Sequence, residues 1–92
     1  MDMYIIEREI PKIGLANRQA FKEAACKSNA VLRELSPDIQ WVQSYVTEDK
    51  IFCVYLAEGE SVIKRHADIS GFPANKITAV RRTIDPTTAG QA

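Results

Sequence analysis

Residues 45–73 read YVTEDKIFCVYLAEGESVIKRHADISGFP, and the order of signals inside them decides the fold. Ile51 to Ala57 is the longest unbroken apolar run in the chain and is rich in β-formers, which predicts a central strand with both faces covered. Tyr45 and Val46 end an earlier alternating stretch, so Glu48-Asp49 reads as the turn of a hairpin. After the run, Glu58-Gly59-Glu60-Ser61 places acidic groups at the positive end of a helix. In that helix Val62, Ile63, His66, Ile69 and Ser70 keep helical spacing, which puts His66 on the inward stripe. Gly71 suits the left-handed residue that closes a helix, Phe72 supplies the accompanying apolar contact, and Pro73 prevents continuation.

Outward from that stretch, Met3, Tyr4, Ile5 and Ile6 are apolar at consecutive positions, so Met3–Glu9 is predicted as a second interior strand. Pro11 and Gly14 interrupt it, and Asn17 is placed to cap a helix by accepting from the free amides of its first turn. Phe21, Ala24, Ala25, Ser28, Val31, Leu32 and Leu35 then hold helical spacing, with charged and polar residues opposite, until Ser36-Pro37. Ile39 to Thr47 alternates, predicting Ile39, Trp41 and Tyr45 on one face and Val42 and Val46 on the other. Lys76 to Ile84 reads as a partly exposed last strand, and residues 85–92 have too few apolar groups to order themselves, predicting a flexible tail. The expected organisation is one domain over residues 1–84 followed by that tail.

The order β-α-β-β-α-β is the ferredoxin-like arrangement, an α+β fold in which two helices cover one face of a four-stranded antiparallel sheet. Strands one and three are apolar on both sides, yet the helices cover one side only. A second copy packed through the open sheet face is the simplest cover, which predicts a homodimer assembled like a dimeric α+β barrel.

Composition narrows the function classes. The 12 Lys and Arg balance 12 Asp and Glu, so no global field draws nucleic acid or an anionic membrane. The apolar strand Ile51–Ala57 lacks the glycine of RNA-stacking strands, so no nucleic-acid partner is expected. No apolar run approaches a bilayer span and the start lacks a signal peptide's pattern, so no membrane association and a cytoplasmic address are expected. Cys26 and Cys53 have no metal-ribbon or CxxC spacing and read as free thiols. No nucleophile elbow or phosphate loop is present, which argues against a hydrolase or NTPase.

What remains as candidate chemistry is sparse. His66 is the single histidine, and neutral imidazole is the commonest transition-metal ligand; the competing reading is a hydrogen-bonded histidine on a helix face. Asp68, two residues on, faces elsewhere on the helix. Cys53 reads as a soft ligand or an apolar filler of the strand. Glu7 is a carboxylate on an otherwise apolar strand and needs water or a partner. Tyr4, Trp41, Tyr45 and Tyr55 are expected either to line a pocket for an organic ligand or to fill core and interface.

The segments SYVTEDKIFCVY (Ser44–Tyr55) and HADISGFPANKI (His66–Ile77), with the opening MYIIERE (Met3–Glu9), resemble a family of small bacterial proteins that includes nickel-binding and nickel-responsive members. The resemblance implies a ferredoxin-like homodimer and, in some members, bound nickel or another divalent transition metal without an established reaction. Carried onto this chain, it implies His66 as the first candidate ligand, Cys53 as the second and Glu7 as the third. One histidine per chain cannot fill a nickel sphere, so the sites implied are shared between chains or left open. The leading expectation is a non-enzymatic homodimeric metal-binding or metal-responsive protein. The alternative is a small-molecule binder or cofactor-independent enzyme of the dimeric α+β barrel type, with the pocket between sheet and helices. A purely structural interaction module is the third.

Overall fold

A computed structural model describes residues 1–90. Strands β1 (Asp2–Glu9), β2 (Ile39–Val46), β3 (Lys50–Ala57) and β4 (Lys76–Ala79) form one sheet in the order β2-β3-β1-β4, with every neighbouring pair antiparallel. Helices α1 (Arg18–Leu35) and α2 (Glu60–Ser70) supply the two crossovers, which makes the fold the expected ferredoxin-like βαββαβ. The two strands that are apolar at successive positions occupy the centre, where both edges are paired and the helices shield one face.

Register assigns the faces. Tyr4 pairs with Tyr55, Ile6 with Cys53 and Arg8 with Ile51, and all six point toward the helices. Ile6, Ala57 and Ile63 are fully buried there, with Ile39, Val31 and Leu35 completing the core. Met3, Ile5, Glu7, Phe52, Val54 and Leu56 point the other way, onto a face that no helix covers among the described residues. Cys53 therefore lies on the helix side of its strand.

β2 departs from simple alternation. Trp41 pairs with Tyr55 but Gln43 pairs with Val54, leaving Val42 as the extra residue of a bulge. The inserted residue shifts the pleat by one, so beyond it Ser44 and Val46 face the helices. Tyr45, expected beside Trp41, instead pairs with Phe52 on the open face and is 55% exposed.

The helix ends follow their signals. Ala20 N–H donates to Asn17 Oδ1 at 2.9 Å, and α1 stops at Ser36 ahead of Pro37. Gly71 takes φ +80° and donates its N–H to the Ala67 carbonyl at 2.9 Å. Val62, Ile63, His66 and Ser70 are the buried positions of α2, whereas Ile69, expected with them, is exposed. β4 is shorter than the expected Lys76–Ile84. Ala79 already pairs with Tyr4 and Val80 N–H donates to the Met3 carbonyl, so β1 has almost no chain left to pair with Arg81 and beyond. Of the expected tail, Pro86–Gly90 forms a 3₁₀ helix, and residues 91 and 92 lie outside the described residues.

The segment between β1 and α1 is pinned to the β2–β3 hairpin. Lys12 N–H donates to Asp49 Oδ1 at 2.8 Å, Gly14 N–H to the Glu48 carbonyl at 2.9 Å and Ile10 N–H to the Asp49 carbonyl at 3.0 Å. A Cβ on Gly14 would lie 2.8 Å from the Thr47 carbonyl oxygen, so this close approach requires glycine. The loop thus closes one end of the space between α1 and the sheet.

Candidate functional site

Because β1 alternates, the residue after Tyr4 and Ile6 on the inner face is Arg8, and its side chain is only 3% exposed. Its Nε donates to Cys53 Sγ at 3.4 Å, its Nη1 to the Pro73 carbonyl at 2.8 Å and its Nη2 to the Tyr55 hydroxyl at 3.3 Å. The guanidinium also sits 6.0 Å from the ring centres of Tyr55 and Phe72. All of these partners are neutral. Among the described residues no carboxylate lies within 4.0 Å of Arg8, the one ion pair being Lys50 with Glu7. Burial pushes the Tyr55 hydroxyl above its ordinary range, and the adjacent Arg8 opposes that rise.

Beside this cluster is a cavity of about 680 Å³ between the first half of α1 and the sheet. Its origin is the helix sequence: Ser28, Val31 and Leu35, the buried residues of α1, all lie in the second half, while Ala20, Ala24 and Ala25 are too small to reach the sheet. Arg8, Cys53 and Tyr55 line the inner end, and Trp41 and Ser44 line the β2 side, where the indole N–H donates to Ser44 Oγ at 2.9 Å. The walls are otherwise almost wholly apolar.

His66 is fully buried behind this cavity rather than in its wall. Its Nε2 is 3.1 Å from Ser28 Oγ, its ring centre is 5.6 Å from that of Tyr55, and its Nδ1 has no hydrogen-bond partner among the described residues. Burial first, and the Arg8 charge second, lower its pKa from 6.5 to about 4. The imidazole is neutral at physiological pH.

The candidate residues are dispersed. Cys53 and Tyr55 meet at Arg8, and Trp41, the cross-strand neighbour of Tyr55, lines the same cavity. Tyr4 is buried in the core farther along β1, and Tyr45 is on the opposite face. Glu7 is also on that opposite face, 3.5 Å from Lys50 Nζ and paired in register with Lys76. The sheet itself separates Glu7 from Cys53 and His66. Among the described residues no three His, Cys, Asp or Glu side chains come together as a metal site. Inside the chain a buried cation stands beside the candidate donors, and outside it Glu7 is held among lysines. The donor set of one chain does not fit a resident nickel ion.

Arg8 was not among the candidates, since a charged residue between Glu7 and Glu9 reads as solvated. Its signal is the period of two: Tyr4, Ile6 and Arg8 share the face that the helices cover.

A protein-family model described as nickel responsive protein SCO4226-like matches residues 4–80, from within β1 to just past the end of β4. The crystal structure of SCO4226 from Streptomyces coelicolor A3(2) is similar, with a TM-score of 0.75 at 14% identity over 89% of this chain and 99% of that one. At that identity the likeness is one of fold. No curated protein matches. No helix among the described residues is long and apolar enough to cross a membrane.

Proposed function

Since this chain belongs to the SCO4226-like family of nickel-responsive proteins, we propose that it is a non-enzymatic homodimer that binds or responds to nickel through groups contributed by both chains. The observation that carries the reading is the family match over all of the βαββαβ unit but the first two residues of β1. Sharing between chains is favoured because one chain assembles no three-donor cluster among its described residues. The open face bearing Ile5, Phe52, Val54 and Leu56 is the surface a second copy would cover. Of the three candidate donors, Glu7 alone stands on that face, and a metal there must compete with Lys50. His66 is fully buried on the inner side of α2, across the sheet from that face.

Equilibrium dialysis of tag-free protein against nickel, with sedimentation equilibrium on the same samples, tests the reading. Saturable binding by a dimer, weakened at least tenfold by Glu7→Gln and little changed by His66→Gln, is expected. Binding lost in His66→Gln but kept in Glu7→Gln would place the ion inside one chain and overturn the shared site. A stable monomer without saturable binding would sink the proposal as a whole.

A further inference from the structure

We infer that the cavity between α1 and the sheet binds an apolar small molecule bearing a single carboxylate, with the carboxylate on Arg8. A buried guanidinium is costly unless charge and hydrogen bonds compensate for lost water, and neutral partners supply only the hydrogen bonds. The thiol of Cys53, the carbonyl of Pro73 and the hydroxyl of Tyr55 use three of Arg8's five N–H donors. One N–H remains on each terminal nitrogen, matching the two oxygens of a carboxylate in a bidentate pair. Glu9 lines the cavity too, but it is exposed at the rim and its carboxylate is not within 4.0 Å of the guanidinium.

The cavity fits the rest of such a molecule. At about 680 Å³ it falls in the range of small-molecule sites, roughly 300 to 1,000 Å³. Ala20, Ala24, Ala25, Phe21, Ile13 and Ile51 present hydrocarbon to the interior, and among the described residues Arg8 is the only cation lining it. A phosphate head would bring a second negative charge and a third oxygen that this wall does not match, so a monoanion with an alkyl or aromatic body is the better fit. Ser28 and Ser44 add hydroxyls near the inner end. This site lies on the covered side of the sheet, apart from the open face invoked for pairing and nickel.

The single tryptophan, Trp41, lines the cavity and reports on it directly. Its fluorescence is titrated in metal-free buffer with sodium octanoate and, separately, with 1-octanol, which has the same chain length without the charge. Octanoate is expected to bind at least tenfold more tightly than octanol. Arg8→Gln is expected to bring octanoate down to the octanol value while leaving octanol within twofold. Ala24→Phe, which projects a ring into the cavity from α1, is expected to weaken both at least fivefold. Equal affinities for the wild-type protein, absence of binding, or an unaltered octanoate titration in Ala24→Phe would overturn the inference. Should Arg8→Gln fail to give a folded circular dichroism spectrum, the wild-type octanoate-to-octanol ratio and the Ala24→Phe result decide the matter. Chelation removes nickel as a variable, so failure here leaves the shared-metal reading intact.

Discussion

Acidification should weaken this protein through His66, and the size of the effect follows from its surroundings. The imidazole is fully buried, with Ser28 of α1 on one nitrogen, the Tyr55 ring of β3 beside it and the Arg8 charge of β1 nearby. In the unfolded chain it takes up a proton near pH 6.5, whereas in the folded protein it resists until about pH 4. A base whose folded pKa is depressed leaves the unfolded state binding more protons between those values, so stability is complete above pH 6.5 and falls as pH drops toward 4. At 1.36 kcal/mol per pH unit the loss amounts to about 2 kcal/mol by pH 5 and about 3 kcal/mol by pH 4. Urea denaturation of the wild type and of His66→Gln across this range isolates it, because the carboxylates titrate alike in both. The wild type should lose stability relative to the variant as pH falls. Curves that stay parallel down to pH 5, or a His66 proton resonance that titrates near 6.5 in the native state, would refute the reasoning.

Three further outcomes are expected. Ile6→Ala removes a fully buried side chain between Cys53 and Ile77 and should cost about 3 kcal/mol in chemical denaturation; a change below about 1 kcal/mol would mean the site collapses freely. Gly71→Ala forces a Cβ onto a residue at φ +80° and should lower stability by roughly 1 kcal/mol, whereas a gain would show that the helix end relaxes out of the left-handed conformation. Val54→Asp puts a charge in the middle of the open face and should convert a dimer at micromolar concentration into a folded monomer by light scattering; an unchanged mass would remove that face from the assembly.

The fold was legible where the information is local or strongly periodic. Asn17, Ser36-Pro37 and Gly71 act through their own backbone neighbourhood, so their residue types alone locate the ends of α1 and α2. The consecutive apolar residues of β1 and β3 require shelter on both faces, which placed them at the centre of the sheet. The bulge at Val42 was not legible: no glycine or proline marks it, and a single inserted residue inverted the predicted face of Tyr45. The end of β4 depended on how much of β1 was left to pair with, a relation between distant segments. For the candidate site, Tyr4, Trp41, Tyr45 and Tyr55 read from their type as either pocket or core and interface, and Arg8 is hidden by its charged neighbours. The cavity arises from alanines that the helical pattern scores simply as an inward face. Spacing reveals which side a residue is on, and it does not reveal whether the side chain is long enough to reach across.

The bulge in β2 has a further consequence at the border of the sheet. β2 is one outer strand, and a regular outer strand offers an even row of amide and carbonyl groups to which any stray extended segment can add. At Val42 that row is broken and the strand twisted, so a foreign strand cannot zip along its full length. β4, the other outer strand, has only four residues and is followed by Arg81 and Arg82, which place positive charge at that margin. Neither rim is a good template for runaway strand addition, and a chain with so apolar an uncovered sheet surface is thereby steered toward finite assemblies instead of fibrils.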